Sequence, residues 1–314
     1  MVVLGGANTD YLIRGNKMPA PGQTVEGFKF QTAAGGKGAN QAVAAARLGA
    51  RVAFVGRLGA DARGDEIIAQ LKAEGVDCRY AVRDRRHATG VALIMVSKDG
   101  EKSILTAPGA NRHLALADVR QATRAIANTR MLLVQFEAPR AVVLAAARLA
   151  HKHGARIVLD PAPPSYAPGD ELLRLVYLIK PNAHETEALT GINPRDRASA
   201  RRAAHKLLER GVKVVCVESG HQGNLLVWSG GELWLPRIRV RAVDATGAGD
   251  AYAAAFAVAM AEGQPLSAAA QFANAAAALK TTRVGAQAGL PKRKAVLALA
   301  RMRRLPRLTR LTES

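Results

Sequence analysis

Short apolar segments rich in Val, Ile and Leu alternate along the chain with Ala-rich segments of helical period, and this alternation limits the possible folds more than any other feature. Strands without a polar face are typical of a parallel sheet that helices cover on both sides. The strands expected on this basis are residues 2–4, 51–55, 131–136, 156–160, 176–180 and 212–217. The predicted fold class is α/β, with a doubly wound, mostly parallel sheet and helices on both faces.

Glycine marks the ends of the intervening helices. A glycine just beyond a helix adopts the left-handed conformation that closes it, at little steric cost. The glycines at these points are Gly49, Gly75, Gly154, Gly211 and Gly263. We expect a positive φ angle at each of them.

Two segments near the start of the chain interrupt the alternation. Residues 9–34 are rich in Pro and Gly without helical period, and residues 89–106 are predicted to form two strands joined around Asp99 and Gly100. Neither segment alone could bury a core, so together they are predicted to form a small β-sheet lid. We therefore expect one α/β domain over residues 1–314, with these two lid insertions.

The chain is strongly basic, since 45 Lys and Arg against 25 Asp and Glu give a net charge of +20. Such a charge attracts polyanions, so nucleic acid is a conceivable partner. Aromatic residues are only 4% of the chain, however, and platforms for base stacking are therefore scarce. The basic run over residues 292–310 is better interpreted as a solvated helix face, and a nucleic-acid function is disfavoured.

Features of export or of membrane insertion are missing from the sequence. No apolar run approaches the ~20 residues that span a bilayer, and the chain starts without a basic leader. The two cysteines, Cys78 and Cys216, lie far apart and form no metal-binding motif. We expect a cytoplasmic protein with no membrane partner.

The strongest local motif is DATGAGDA at residues 244–251, which leads into an apolar helical run. A glycine turn at a helix start presents backbone N–H groups to an anion, so the motif predicts a phosphate cradle at Gly247, Ala248 and Gly249. Asp250 lies where the helix dipole favours an ionised carboxylate, which suits a proton acceptor or a metal contact. The alternative is that Asp250 is only the N-cap of its helix.

A second glycine turn, GGKGANQA at residues 35–42, also enters an Ala-rich helix. Its glycines allow close approach of a polar ligand, and Asn40 can exchange hydrogen bonds with hydroxyl groups, so a sugar fits this turn. Asn8, Asp10 and Glu137 follow predicted strands, and ligands of open α/β sheets bind beyond the carboxyl ends of strands. Each of these residues alone could equally be a turn former or a solvated side chain.

Two further loops follow later strands. Asn182 and Glu185 place an amide and a carboxylate on one helical face, a pair that can hold metal-bound water. The glycine turn at residues 218–223 could border a nucleotide, or it could be only a hairpin loop.

With these two glycine motifs, the chain resembles the ribokinase/PfkB family of carbohydrate kinases, from the first strand to about Pro291. Residues 5–10, 21–24, 135–139 and 282–287 are most similar to the branch of that family that phosphorylates ribose. The resemblance implies a ribokinase-like fold. It also implies ATP-dependent phosphorylation of D-ribose at the 5-hydroxyl, which gives D-ribose 5-phosphate and ADP.

The resemblance further implies a role for individual residues. The ribose would be held by Asn8, Asp10, Gly36, Lys37, Gly38, Ala39, Asn40 and Glu137, with Asp250 as general base. Charge on the transferred phosphoryl group would be stabilised by Gly247, Ala248 and Gly249. The nucleotide would lie against Asn182, Glu218, Ser219, Gly220, His221, Gln222, Gly223, Gly249 and Asn274.

Two metal cofactors follow from the same resemblance. Mg²⁺ would be held through water by Glu185. K⁺ would be bound as an activator by Asp244, Thr246 and the carbonyl groups of Lys280, Arg283, Gly285 and Gly289.

Two positions near the predicted nucleotide site depart from the family pattern. Glu218 replaces a Thr near the phosphates, and its carboxylate would repel them unless magnesium or a nearby Lys or Arg compensates. Asn274 replaces a His that lies along adenine, which weakens stacking. The chain beyond Arg301 lies outside the resemblance.

Other functions remain open from the sequence. A kinase of the same family for deoxyribose, fructose or an adenosine-like nucleoside is one, and a non-catalytic or nucleic-acid-binding relative is another. The intact Asp250 opposes the latter, and the shortage of aromatic residues opposes a nucleoside site. The lid would leave an apolar face exposed, so we expect a homodimer that forms through the lid.

Overall fold

The computed structural model describes residues 1–164, 167–220 and 222–301 of the chain. His221 and the end of the predicted basic run, residues 302–310, lie outside the described residues.

The larger of two sheets forms the centre of the molecule. Its strands run in the order β13 (Gly231–Pro236), β12 (Gly223–Trp228), β11 (Val214–Ser219), β10 (Val176–Ile179), β9 (Arg156–Asp160), β8 (Met131–Gln135), β1 (Val2–Leu4), β4 (Ala53–Gly59) and β5 (Asp77–Asp84). All neighbours from β11 to β5 pair in parallel, and β12 and β13 add an antiparallel edge. The predicted fold class is confirmed.

Successive residues of the central strands belong to two different apolar cores. In β8, Met131 and Leu133 pack into one core, while Leu132 and Val134 pack into the other. Side chains alternate between the faces of a strand, so a strand buried on both faces is apolar except near its ends. This burial is the physical origin of the continuous apolar segments in the sequence.

Helices cover both faces of this sheet. They are α1 (Lys37–Arg47), α2 (Ala62–Ala73), α3 (Leu116–Gln121), α4 (Thr123–Ala127), α5 (Arg140–Lys152), α6 (Asp170–Leu175), α7 (Ala183–Thr190), α8 (Arg197–Glu209), α9 (Ala248–Ala261), α10 (Leu266–Thr281) and α11 (Arg293–Arg301), with a short 3₁₀ helix at Gly109–His113. The five glycines expected to close helices all have φ angles between 78° and 101°, which confirms that prediction. No helix in the described ranges is both long and apolar enough to cross a membrane.

The second sheet is small and lies where the two insertions were predicted. Its order is β3 (Gly27–Gly35), β2 (Asn8–Gly15), β6 (Gly90–Val96) and β7 (Lys102–Ala107). The turn between β6 and β7 contains Gly100, whose φ angle is 85°. We refer to this four-stranded sheet as the lid.

Candidate active site

Two helices that start at glycine turns meet at one point. Gly36, with a φ angle of 85°, precedes α1, and Gly247, with a φ angle of 82°, precedes α9. A Cβ atom at Gly36 would lie 2.6 Å from the Cα atom of Ala7, so only glycine allows this contact. The helices touch through Asn40, whose Nδ2 donates a hydrogen bond to Oδ2 of Asp250 at 2.9 Å.

Asp250 is the third residue of α9 and is not its N-cap, which is Gly247. Its side chain is buried and also accepts a hydrogen bond from Nε2 of Gln41 at 3.2 Å. The capping alternative is therefore wrong. Burial raises the pKa of Asp250, which opposes the effect expected from the helix dipole, while Lys37 lowers it. A raised pKa brings a carboxylate closer to the value that suits a general base near neutral pH.

Lys37 links Asp250 to a carboxylate that the sequence analysis did not identify. Its Nζ donates a hydrogen bond to Oδ2 of Asp160 at 2.8 Å and lies 3.6 Å from Oδ1 of Asp250. Burial alone would lower the pKa of Lys37, but these carboxylates outweigh burial and hold it above the ordinary value. Asp160 is the last residue of β9. Ligands of open α/β sheets bind beyond the carboxyl ends of strands, and this rule, which led to Glu137, also predicts Asp160.

A pair of carboxylates lies beside the glycine turn of α1. Oε2 of Glu137 accepts a hydrogen bond from the backbone N–H of Lys37 at 2.7 Å. Asp10, on β2 of the lid, packs so closely on Gly35 that a Cβ atom there would lie 2.2 Å from its carboxylate. Burial raises the pKa of Asp10 and of Glu137 to about 7. The structure thus brings together the groups predicted to hold a sugar.

A polar atom of Asn40 lacks a partner in this pocket. Among the described residues, none donates a hydrogen bond to its buried Oδ1 atom, although Nδ2 is bound to Asp250. A buried acceptor without a donor is costly, and a ligand hydroxyl would satisfy it. Asn8 differs, since its Oδ1 already accepts a hydrogen bond from Nδ2 of Asn111 at 2.8 Å.

A groove extends from the start of α9 towards the antiparallel edge of the large sheet. Two adjoining cavities form it, and both contact Lys180, Glu218, Ala245, Ala248 and Gly249. The outer cavity is also lined by Gly220, Gly223, Asn224, Ile238, Val240, Asn274, Ala277 and Ala278. Most of these side chains are small or apolar, and the cavity also contacts Arg237 and Tyr252. Its inner end lies at Ala248 and Gly249, in the first turn of α9.

Two of the residues predicted to bind nucleotide, Ser219 and Gln222, line neither cavity. Oγ of Ser219 donates a hydrogen bond to the carbonyl oxygen of Pro194 at 2.9 Å, and Nε2 of Gln222 donates to that of Arg195 at 3.3 Å. Both side chains stabilise the loop itself. Asn274 does line the cavity, where its Nδ2 donates a hydrogen bond to the carbonyl oxygen of Pro236.

The expected repulsion at Glu218 is compensated within the protein. Nζ of Lys180 donates a hydrogen bond to Oε2 of Glu218 at 2.9 Å, and this ammonium lowers the pKa of Glu218. Lys180 comes directly after β10, the strand next to that of Glu218. The pair is close to neutral overall, so Glu218 does not repel an anion as an isolated carboxylate would.

The predicted metal pair, Asn182 and Glu185, forms a capping box at the start of α7. Nδ2 of Asn182 donates a hydrogen bond to Oε1 of Glu185 at 2.8 Å, and the backbone N–H of Glu185 donates to Oδ1 of Asn182 at 2.9 Å. Both residues nevertheless line the inner cavity together with Asp160. The pair therefore has a structural role in addition to any role with an ion.

The turn before α9 has two free donors. Within the described residues, the N–H groups of Gly247 and Gly249 donate no hydrogen bond, whereas that of Ala248 donates to the carbonyl oxygen of Ala245 at 3.1 Å. An anion in the groove would meet the first two. Ala248, the third predicted donor, already has a partner.

Comparison with known proteins assigns the chain to one family. Residues 1–293 match the family described as pfkB family carbohydrate kinase. The chain belongs to the pfkB family. The sequence resemblance is thereby confirmed over residues 1–293, which include the whole lid.

Members of the pfkB family with assigned functions are similar over nearly their full length. The ribokinase of Haemophilus influenzae is 40% identical over 297 residues, which cover 95% of this chain and 97% of the relative. The ribokinase of Bacillus subtilis is 38% identical over 94% of this chain and 97% of its own. The structure of Arabidopsis thaliana ribokinase complexed with ribose and ATP has a TM-score of 0.87 and 35% identity, and the match covers 95% of this chain and 97% of that one.

One prediction from the pfkB resemblance disagrees with the structure. The predicted K⁺ ligands do lie together, since Oδ2 of Asp244 accepts a hydrogen bond from the backbone N–H of Gly285 at 2.9 Å. However, Nζ of Lys280 lies between their carbonyl groups and donates to that of Asp244 at 3.0 Å and to that of Arg283 at 3.2 Å. The residues present do not fit a potassium ion, because a second positive charge at this place would be repelled.

Proposed function

We propose that this protein phosphorylates D-ribose at its 5-hydroxyl with ATP, giving D-ribose 5-phosphate and ADP. The observation that carries the proposal is the position of Asp250, which lies beside the carboxylates of Asp10 and Glu137 and directly after Gly249, a residue that lines the groove. Such a junction suits the transfer of a phosphoryl group from a nucleotide to a hydroxyl. The similarity to ribokinases supports ribose as the acceptor.

In the proposed reaction, Asp10, Asn40 and Glu137 bind the ribose hydroxyls, and the 5-hydroxyl faces Asp250. The Asp250 carboxylate takes the hydroxyl proton as the oxygen attacks the γ-phosphorus atom, and the bond to the bridging oxygen of ADP breaks. The free N–H groups of Gly247 and Gly249 stabilise charge on the transferred group. Lys37, held by Asp160, adds positive charge beside it.

Magnesium fits the inner cavity. Glu185 and Asp160 line it with carboxylate oxygen atoms, the ligand type that this cation prefers. When bound, the ion neutralises charge on the phosphates. We propose that Glu185 holds it through water.

A screen of acceptors tests the proposed function. We expect ADP formation to be fastest, as kcat/KM, with ribose, and slower with 2-deoxyribose, fructose and common nucleosides, because the pocket offers several acceptors for hydroxyl groups and few aromatic side chains. Coupled detection of ADP measures this, with the D250N variant as the control for contaminating kinases. A nucleoside as the fastest acceptor would replace ribose in the proposal.

We also propose a homodimer that forms through the outer face of the lid. The lid carries exposed apolar side chains at paired positions, Ile13 opposite Phe30 and Leu93 opposite Leu105. Tyr11, two residues from Ile13, is paired with Leu93, so these pairs share one face. Phe30 is 59% exposed and Leu105 68% exposed. A contiguous apolar face of this kind is typical of a contact with another protein.

We expect sedimentation at micromolar concentration to give a particle of about twice the 33.1 kDa chain mass. The L105K variant should shift the equilibrium to monomer, because a charge would be buried in the apolar contact. I104K is the matched control, since Ile104 is 56% exposed and points to the opposite face of β7. A monomeric parent protein, or equal dissociation of both variants, would reject this interface.

A further inference from the structure

Lys280 is a buried lysine whose ammonium group lies among backbone oxygen atoms. It is the next-to-last residue of α10, and its side chain is 0% exposed. Its Nζ donates hydrogen bonds to the carbonyl oxygens of Asp244 and Arg283 and lies 3.9 Å from Oδ2 of Asp244. Its stem packs on Gly289, where a Cβ atom would lie 2.9 Å from its Cδ.

The segments joined by this ammonium lie directly behind the predicted phosphate cradle. The backbone N–H groups of Val243 and Asp244 donate to the carbonyl oxygen of Thr281, so the segment before the cradle is fixed to the end of α10. On the other side, a Cβ atom at Gly247 would lie 3.2 Å from the carbonyl oxygen of Ala286. A cation at this place therefore fixes the position of the loop over residues 283–289 relative to the phosphate cradle.

A second lysine contacts the same aspartate but not the same oxygen atoms. Nζ of Lys102, on β7 of the lid, donates to Oδ1 of Asp244 and to Oγ1 of Thr246, each at 2.8 Å, and its side chain is 33% exposed. Lys102 thus connects the lid to the side chains of Asp244 and Thr246. Lys280 alone of the two reaches the carbonyl oxygens.

We propose that the ammonium group of Lys280 takes the place of a monovalent cation in this protein, so that the enzyme holds its phosphate cradle without potassium. An ammonium group carries the same single charge as K⁺ and can donate to several carbonyl oxygens at once. Lys280 is a positioning residue, because it acts through the backbone of Asp244 and Arg283. The inference rests on the proposed function for its kinetic readout.

The test compares cations in the parent protein and in K280A, which removes the ammonium and leaves room for an ion. We expect the parent to turn over ribose at rates that agree within about twofold in K⁺ and in tetramethylammonium buffers. K280A in tetramethylammonium should lose about tenfold or more in kcat, and K⁺ should restore most of it. The K280M variant fills the space without charge, so we expect the same loss and no restoration.

Thermal unfolding provides a readout that does not depend on turnover. An ion that binds only the folded state raises Tm by mass action, so K⁺ should raise the Tm of K280A and leave that of the parent unchanged. K102A is the matched control, and K⁺ should not raise its Tm. If no sugar is phosphorylated but these Tm shifts occur, the proposed function fails and the role of Lys280 stands.

Activation of the parent by K⁺ would overturn the inference. Full turnover of K280A without any small monovalent cation would do the same. If K280A does not fold, the parent and K280M provide the test. Turnover of both that does not depend on K⁺, together with a lower turnover of K280M, supports the inference. Activation of either protein by K⁺ contradicts it.

Discussion

Replacement of Asp250 by Asn should lower turnover by about 10²–10⁴-fold and change ribose binding little. The amide keeps the size of the carboxylate and can still accept a hydrogen bond from Asn40 or Gln41, so the contact between α1 and α9 is preserved. It cannot accept the proton of the 5-hydroxyl. Steady-state kinetics with ribose, together with calorimetry of ribose binding, separate the two effects.

The control for this variant is D65N, which changes the same chemical group at a site away from the pocket. The Asp65 carboxylate is 77% exposed and pairs with Arg83, so its loss should leave turnover near that of the parent. If D250N and D65N turn over ribose equally fast, Asp250 is not the general base. A D250N protein that no longer binds ribose would instead assign Asp250 to sugar recognition.

The fold and the centre of the site could be predicted because their causes are local. A strand buried on both faces needs an apolar residue at every position, and a helix that closes with a left-handed residue needs Gly. The turns at Gly36 and Gly247 also need glycine for a local reason, since the backbone there has a positive φ angle and a close neighbour. Such requirements leave a signal within a few residues of sequence.

Side-chain direction could not be predicted in this way. The family resemblance implied that the carbonyl group of Lys280 binds an ion. Its ammonium instead donates to the carbonyl oxygens of Asp244 and Arg283, because α10 ends with that side chain facing the loop over residues 283–289. Glu218 was expected to repel phosphate unless magnesium or a nearby Lys or Arg compensated, and the compensating residue is Lys180, directly after the neighbouring strand. Both partners depend on how distant segments pack, and the sequence contains no local signal for that.

The second large effect is expected on the ribose KM, from a substitution in the pair of carboxylates beside the proposed sugar pocket. Glu137 is bound at Oε2 by the backbone of Lys37 and contacts no reacting group in the proposed geometry, so its role is recognition. Removal of a hydrogen bond with a charged group costs about 1.5–3 kcal/mol, and E137A should therefore raise the ribose KM by roughly 10–100-fold. Turnover at saturation should change much less, and initial rates over a range of ribose concentrations give both constants.

The raised pKa of Glu137 predicts a pH dependence of the ribose KM, which the same kinetic experiment can measure. Burial raises its pKa to about 7, so the carboxylate that accepts hydrogen bonds is lost as the pH falls through that value. The ribose KM of the parent should therefore increase below about pH 7. E137Q, which stays neutral, should show a weaker pH dependence, and Asp10 with a pKa also of about 7 accounts for the remainder.

Discrimination between sugars locates the hydroxyl that Glu137 binds. If it binds the 2-hydroxyl, 2-deoxyribose is already a poorer substrate for the parent, and E137A discriminates less between the two sugars because the lost contact existed only with ribose. E66Q is a suitable control, since Glu66 is exposed on α2. A loss of turnover in E137A as steep as that in D250N, with normal ribose binding, would instead place Glu137 in the catalytic step and the sugar in a different orientation.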